Sequence, residues 1–168
     1  MPLNNDFADQ NCSVARTLEV IGERWSMLVI RDVFLGIRRF DEIQRHLGIS
    51  RNVLTARLAH LLDLGVLKKV LYSERPERYE YKLTARGRDL WPVLMAMMQF
   101  GDEHAPAPDG PPRVFSHKDC GGDIDKLHLR CEVCGQDVGP FDVVGAVGPG
   151  HGGPKGEFGP LEPANAGA

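Results

Sequence analysis

The sequence predicts a mainly α-helical α+β fold that carries one small β-hairpin and is followed by a small ribbon-like module. Three observations predict it: apolar residues recur at helical spacing between residues 14 and 61, two β-rich segments follow between residues 66 and 84, and three of the four cysteines lie between residues 117 and 136. A chain of 168 residues is long enough for one hydrophobic core and a small appendage.

The first four predicted elements are helices. Two lie in CSVARTLEVIGERWSMLVIRDVFLG, where apolar residues recur every three or four positions and Gly22 and Gly36 end the two runs. The next helix, in RRFDEIQRHLG, is short and ends at Gly48. A longer helix is predicted in SRNVLTARLAHLLDLG, with Ser50 as its N-cap. Its inward face is an apolar stripe formed by Leu54, Leu58 and Leu61.

A hairpin and a last helix follow. VLKKVLYS and RYEYKLT flank the polar turn SERPE, a pattern typical of two antiparallel strands with a basic tip. Thr84 is the predicted N-cap of one long helix, ARGRDLWPVLMAMMQFGDEH, and Pro92 either starts its second half or kinks it. The predicted organisation is a domain at residues 1–104, a Pro-rich linker at 105–113, a Cys/His module at 114–144 and a Gly/Pro-rich flexible tail at 145–168.

The net charge of −3 is unevenly distributed along the chain. Residues 38–88 carry twelve Lys and Arg against six Asp and Glu, a charge of +6, whereas residues 1–37 carry −2 and residues 89–168 carry −7. A basic block between acidic ends indicates a surface for an acidic partner such as nucleic acid, although a solvated Arg-rich surface gives the same counts.

A short helix, a turn at Gly48 and a longer helix form a helix-turn-helix arrangement, whose second helix fits the major groove of DNA. The hairpin that follows makes this a winged helix, with a cationic tip that can reach sugar-phosphate or the minor groove. The predicted DNA-binding residues are Ser50, Arg51, Asn52, Thr55 and Arg57 of the second helix and Arg75 and Arg78 of the hairpin.

The run from Cys12 to about Gly101 resembles the HxlR-type winged-helix transcription regulators, a branch near the MarR family. The motifs that carry the resemblance are IGERW, RFDEI, ISRNVLTARL and YKLTARG, and together they cover about half of the chain. The resemblance implies a homodimer whose first and last helices pack across the two-fold axis. Each protomer would place one recognition helix and one wing on a pseudo-palindromic operator in double-stranded DNA.

Cys12 lies at the start of the first predicted helix, where many relatives also carry a cysteine. The unpaired N–H groups at a helix N-terminus favour a thiolate, so Cys12 is a candidate sensor of oxidants or electrophiles. A small buried residue at the dimer interface is the other interpretation. Relatives usually have proline next, where this chain has Ser13. A small-molecule effector is a further candidate, near Trp25, Trp91, Phe100 and the cluster of Met95, Met97 and Met98.

The segment HKDCGGDIDKLHLRCEVCGQ has the spacing of a zinc site, and its predicted ligands are His117, Cys120, Cys131 and Cys134. His128 is an alternative fourth ligand. Four protein ligands leave no open coordination position, so Zn²⁺ would be structural. The competing interpretations are a ribbon that no longer binds metal and a set of redox thiols.

These features predict a cytoplasmic, dimeric, DNA-binding transcriptional regulator that is not an enzyme. The start, MPLNNDFADQN, lacks the pattern of a signal peptide, and no apolar run approaches the roughly 18 residues of a membrane span. The alternative function is a winged-helix scaffold that binds a protein or RNA partner through the C-terminal ribbon. Affinity that falls steeply with salt favours DNA over that scaffold, because phosphate contacts release counterions.

Overall fold

The structure is a computed structural model that describes residues 12–122, 124, 127–139 and 142–143. The chain divides into two units, one up to Pro106 and one from Ala107, and this division falls inside the predicted linker 105–113. The predicted flexible tail at 145–168 lies outside the described residues.

Four helices open the first unit, as the apolar periodicity predicts: α1 Ser13–Ile21, α2 Ser26–Phe34, α3 Phe40–Leu47 and α4 Arg51–Asp63. Helix α3 ends at Gly48, which has the left-handed φ of 65° and donates its N–H to the carbonyl oxygen of Gln44. Helix α4 starts at Arg51, three residues later, and Ser50 caps it: the Ser50 hydroxyl accepts a hydrogen bond from the N–H of Val53 at 3.3 Å. Such a cap contributes about 1 kcal/mol to helix stability.

Strands β1 Leu67–Glu74 and β2 Glu77–Leu83 form the predicted antiparallel hairpin, with Leu67 opposite Leu83. The hairpin is joined to the segment that precedes α3, because the N–H of Tyr81 donates to the carbonyl oxygen of Arg38 at 2.8 Å. Arg39 and Glu80 form an isolated antiparallel bridge at the same place. The wing is therefore fixed to the helix-turn-helix at the start of α3.

The last predicted helix is two helices, α5 Ala85–Arg88 and α6 Trp91–His104, so Pro92 starts the second half and does not kink a continuous helix. Thr84 caps only α5: its hydroxyl accepts from the N–H of Gly87 at 3.1 Å and donates to the carbonyl oxygen of Gly65 at 2.6 Å. Gly87 packs against the backbone of Val66, where a Cβ atom would clash. This short capped turn closes the hairpin onto the core before the chain turns into α6.

The core of the first unit contains the predicted leucine stripe of α4, which is completely or nearly completely buried. It packs with other buried side chains of α2, α3, β1 and the residue before β1, among them Val29, Ile30, Ile43, Val66 and Leu67. Burial of each large aliphatic side chain contributes roughly 1.5–3 kcal/mol. The fold thereby holds α4 with its polar side directed away from the core.

Two helices of this unit leave apolar residues uncovered. Here these residues are called the outer stripes: Val14 and Leu18 of α1, and Val93, Met97 and Phe100 of α6. Val14 and Phe100 are each 67% exposed. Within the outer stripes the residues recur at spacings of three or four, so each set lies on one side of its helix. No described helix has both the length and the hydrophobicity of a membrane span.

Candidate functional site

Four of the five DNA-binding residues predicted around helix α4 are exposed at or near its N-terminus: Ser50, Arg51, Asn52 and Thr55. Because Arg51 and Asn52 occupy the first turn of α4, they lie at the end of the helix that usually meets base edges. This end of the helix is therefore accessible to a ligand.

A groove of about 440 Å³ lies beside this first turn, between the start of α3 and the wing. Its lining includes four arginines and two carboxylates: Arg39, Arg45, Arg51 and Arg78, with Asp41 and Glu42. The remaining lining residues are aromatic: Phe40, Tyr72 and Tyr79. We call this the cationic groove. An excess of guanidinium groups beside a helix suited to the major groove matches the charge and shape of a DNA backbone.

Aromatic rings position two of these arginines. The guanidinium of Arg51 lies 4.7 Å from the centroid of the Phe40 ring, and that of Arg39 lies 4.5 Å from the centroid of Tyr72. Arg51 is also 3.8 Å from a carboxylate oxygen of Asp41. Exposed ion pairs of this kind are weak, typically about 0–1 kcal/mol. The carboxylate of Asp41 therefore orients Arg51 but leaves its positive charge available to bind a phosphate. The groove therefore holds preoriented cations at the surface.

The wing carries the other predicted contacts. Arg75 and Pro76 form the turn between β1 and β2, and Arg78 follows on β2, facing the groove. Lys69 lies 4.1 Å from the centroid of the Tyr79 ring, whose hydroxyl donates to Glu77 at 2.9 Å. This hydrogen bond to the Glu77 carboxylate raises the pKa of Tyr79. The wing thus presents Arg75 at its tip, beside Glu74 and Glu77, and Arg78 on its groove side.

Arg57 lies apart from the other predicted DNA contacts. Its side chain is only 22% exposed and its guanidinium is 3.7 Å from the carboxylate of Glu23. It lines a different cavity, of about 550 Å³, together with residues of α1 and the α1–α2 turn. His60 borders the same cavity and its Nε2 is 3.0 Å from the carbonyl oxygen of Glu19. Phosphate binding by Arg57 stays a prediction, and it would have to compete with Glu23.

Arg39, Arg45 and Tyr72 were not among the residues predicted from the sequence. All three belong to the basic block at residues 38–88, and for the two arginines the signal was the charge count. What places them in the cationic groove is the pairing of Arg39 with Glu80 and of Tyr81 with Arg38, which connects residues distant in sequence. Local periodicity gives no sign of such a contact.

The aromatic and methionine residues predicted near an effector site are divided between the core and the surface. Trp91 packs against Phe34, with ring centroids 5.2 Å apart, and Met95 is buried. Met97 and Phe100 belong to the outer stripes instead. Binding of an effector at these residues stays a prediction.

Cys12 precedes the first residue of α1 and its side chain is exposed. The backbone N–H groups of Ala15 and Val14 hold the pKa of the Cys12 thiol below its ordinary value, and the positive charge of Arg16 acts in the same direction. Arg16 is held near by a hydrogen bond of 2.9 Å to the hydroxyl of Ser13. The residue that replaces the usual proline thus helps to orient a cation beside the thiol.

In the second unit, the predicted metal ligands form two pairs. Nδ1 of His117 is 3.3 Å from Sγ of Cys120, and the thiol of Cys134 hydrogen-bonds to Cys131. The backbone N–H groups of Cys134 and Val133, with that thiol, lower the pKa of Cys131. Among the residues that the structure describes, no three metal-ligating side chains gather at one point, so the two pairs stand apart. His128 lies 3.5 Å from the carboxylate of Asp137.

Comparison with known proteins agrees with this geometry. Residues 20–109 match the family model described as HxlR-like helix-turn-helix. An uncharacterized HTH-type transcriptional regulator of Mycobacterium tuberculosis is 46% identical over 138 residues, which is 82% of this chain and 87% of the relative. Since the matching residues exceed the 106 of the first unit, the similarity continues into the second.

Two solved structures are also similar. PA1607, described as a candidate transcription factor, is 39% identical with a TM-score of 0.74, over 81% of this chain and 94% of its own. The redox regulator HypR in its reduced form is 32% identical with a TM-score of 0.53, over 56% of this chain and 94% of its own. Its oxidised form gives a TM-score of 0.52. The part of this chain that matches HypR is thus shorter than the first unit, whereas the part that matches PA1607 is longer and extends into the second unit.

Proposed function

The chain belongs to the HxlR-like helix-turn-helix family, and from this premise we propose that it acts as a homodimer that binds a pseudo-palindromic operator in double-stranded DNA. Membership makes the protein a transcriptional regulator with a helix-turn-helix DNA-binding fold, and not an enzyme. The observation that carries the proposal is the cationic groove, which joins the exposed first turn of α4 to the wing.

The homodimer is supported by the outer stripes. Large apolar residues lie exposed on one side of α1 and one side of α6. Covering them with a second apolar surface removes them from water and so favours association. In a two-fold dimer, both subunits contribute the same surface to the interface. The outer stripes of one subunit can therefore pack against those of its partner. The recognition helices of the dimer would then meet half-sites about 34–36 Å apart.

Each protomer would read DNA with two kinds of contact. Arg51 and Asn52 reach base edges in the major groove, where Arg pairs with guanine and Asn with adenine. Arg39 and Arg78 in the cationic groove neutralise phosphates, and Arg75 at the wing tip contacts the backbone or the minor groove. Base contacts set specificity, whereas phosphate contacts set affinity and salt dependence.

Single substitutions can distinguish the base contacts from the phosphate contacts. Arg51→Ala should weaken binding of an operator selected from a random duplex pool by about 1–3 kcal/mol and relax base preference. Arg75→Ala should weaken operator and scrambled duplex alike and reduce the slope of log affinity against log salt by about 1. Fluorescence anisotropy titrations of both duplexes over a salt series measure both effects.

Arg113→Ala is the matched control, because Arg113 is also an exposed cation and lies in the second unit. It should change neither affinity nor salt slope. If Arg51→Ala and Arg75→Ala both bind the operator like the parent protein, the cationic groove is not the DNA-binding surface. Salt-independent binding of a protein partner through the same surface would support a scaffold instead.

We further propose that the regulator responds to oxidants through Cys12. Its thiol is exposed, its lowered pKa increases the thiolate fraction at neutral pH, and the thiolate is the form that reacts. The thiolate attacks one oxygen of hydrogen peroxide, the S–O bond forms as the O–O bond breaks, and Cys12 becomes a sulfenic acid. The hydroxide that leaves takes a proton from the solvent and becomes water. The likeness to HypR, a redox regulator solved in reduced and oxidised forms, supports this proposal.

Treatment with one equivalent of peroxide should change operator affinity in the parent protein, and a thiol reductant should restore it. Cys12→Ser should bind DNA like the reduced parent and give no response to peroxide. Mass spectrometry of the treated protein identifies the modified residue. A full peroxide response in Cys12→Ser, or modification of Cys12 without any change in affinity, rules out sensing by this residue.

A further inference from the structure

The described part of the second unit contains two turns that are built alike, fourteen residues apart. In the first turn, the N–H of His117 donates to the carbonyl oxygen of Gly122, and the N–H of Gly121 donates to that of His117, both at 2.7 Å. In the second, the N–H of Cys131 donates to Gln136 and that of Gly135 donates to Cys131, both at 2.9 Å. Gly121 and Gly135 both have a φ of 70°. The two turns share one backbone conformation.

The agreement extends to the flanking residues. The N–H of Ile124 donates to the carbonyl oxygen of Phe115 at 3.1 Å, and the N–H of Val138 donates to that of Leu129 at 2.7 Å. These donors and acceptors occupy the same positions relative to each turn. Each turn is therefore the tip of a short β-hairpin, which is how zinc ribbons present a pair of ligands.

Because the two turns are alike, each predicted ligand in the first turn corresponds to one in the second. His117 occupies the position of Cys131, and Cys120 occupies that of Cys134. His128 lies three residues before the second turn, and the equivalent residue in the first repeat is Val114, which cannot bind metal. Ion pairing does not discriminate between the two histidines, since His128 lies 3.5 Å from a carboxylate oxygen of Asp137 and His117 lies 3.9 Å from one of Asp119. The repeat alone therefore separates the two candidates for the fourth ligand that the sequence left open, in favour of His117.

The second unit lacks a hydrophobic core in its described part. No described residue from 107 to 143 is buried, and Val133 is 95% exposed. Modules this small rarely stay folded on apolar burial alone and usually depend on a disulfide or a metal. All three cysteines of the segment are free thiols in this structure.

From these observations we infer that His117, Cys120, Cys131 and Cys134 bind one structural Zn²⁺, which draws the two turns together. Zinc takes four nitrogen and sulfur ligands tetrahedrally, and each turn supplies two. The ten residues that connect Cys120 to Cys131 reach roughly 33–36 Å when extended, so the linker permits the approach. Because the ligands fill all four positions, the ion stabilises the fold of the second unit and has no site for a substrate.

Metal analysis of the full-length, untagged protein purified under reducing conditions tests this inference independently of DNA binding. The parent protein should contain one zinc per chain. His117→Ala should lower zinc affinity by more than the roughly 10–100-fold that loss of an outer hydrogen-bond partner costs, whereas the matched variant His128→Ala should keep the zinc. His117→Cys should retain it, because a thiolate replaces the imidazole.

Cobalt(II) provides a second readout on the same proteins. The parent should give a tetrahedral visible spectrum with thiolate-to-cobalt charge transfer, and His117→Cys should increase that charge-transfer absorbance by about one third, since four thiolates replace three. Three results would overturn the inference: a protein that binds no zinc when the ion is supplied, zinc loss in His128→Ala but not in His117→Ala, or a Cys131–Cys134 disulfide in place of metal.

Discussion

Replacing Phe100 by glutamate is expected to convert the proposed homodimer into a monomer. Phe100 is the most exposed aromatic residue of α6 that the structure describes, and its ring contacts only His104 among described aromatic rings, with centroids 4.6 Å apart. Burying a phenylalanine contributes roughly 1.5–3 kcal/mol, and a two-fold interface buries two. The loss per dimer is therefore about 3–6 kcal/mol, or 10²–10⁴-fold in the dimer dissociation constant.

The carboxylate adds a further cost, because each buried ion pays a desolvation penalty of several kcal/mol. Operator affinity should fall in parallel, since a monomer engages only one half-site. Analytical ultracentrifugation measures the dimer, and anisotropy titration with a full operator and with a single half-site measures DNA binding. The half-site affinity should stay near that of the parent, which separates loss of dimerisation from damage to the DNA-binding surface.

Val114→Glu is the matched control for this experiment. Val114 is at least as exposed as Phe100 but belongs to the second unit, so a new charge there should leave the dimer unchanged. A Phe100→Glu protein that remains dimeric and binds the full operator normally would show that α6 does not form the interface.

Much of the fold could be predicted because it depends on local patterns. The spacing of Leu54, Leu58 and Leu61 determined which side of α4 is buried, and the polar side followed from it. Ser50 and Gly48 are residue types with strong positional preferences at helix ends, and both occupy those positions. The exposure of the predicted DNA-binding residues at the start of α4 could therefore be predicted from the sequence.

Other features depend on contacts between distant residues, which periodicity cannot show. The hydrogen bond from the N–H of Tyr81 to the carbonyl oxygen of Arg38 holds the wing beside α3, where the cationic groove forms. Arg57 lies outside this groove and pairs with Glu23 instead. Thr84 and Gly87 divide the last helix because they contact residues near the end of α4 and the start of the hairpin. In each case the decisive partner lies more than fifteen residues away.

The buried acidic residue of α2 is another feature that the sequence did not reveal. The side chain of Asp32 is completely inaccessible, and it accepts hydrogen bonds from Nε and Nη2 of Arg31 at 3.1 and 2.8 Å. Its other carboxylate oxygen lies 2.8 Å from Nδ1 of His46, in the last turn of α3. The cluster therefore links α2 to the helix that precedes the turn of the helix-turn-helix.

Arg31→Met is expected to destabilise the first unit more than Asp32→Asn. The side chains of Arg31 and His46 are 33% and 41% exposed, so water can solvate them when the carboxylate is removed, whereas that of Asp32 is 0% exposed. Removing Arg31 takes away two hydrogen bonds of this buried carboxylate and leaves its contact with His46, and loss of one partner of a buried ion pair costs about 3–5 kcal/mol. An isosteric amide at position 32 loses charge-assisted hydrogen bonds, which costs about 1–3 kcal/mol. Urea unfolding, followed by circular dichroism, gives both values.

The double variant distinguishes this account from simple loss of packing. If the penalty in Arg31→Met comes from the stranded carboxylate, then adding Asp32→Asn removes the charge and should recover part of the lost stability. Independent packing defects would instead add, and the double variant would be the least stable of the three. Recovery would show that Asp32 tolerates burial only because Arg31 and His46 hold it, and that this pairing stabilises the junction of α2 and α3 beneath the recognition helix.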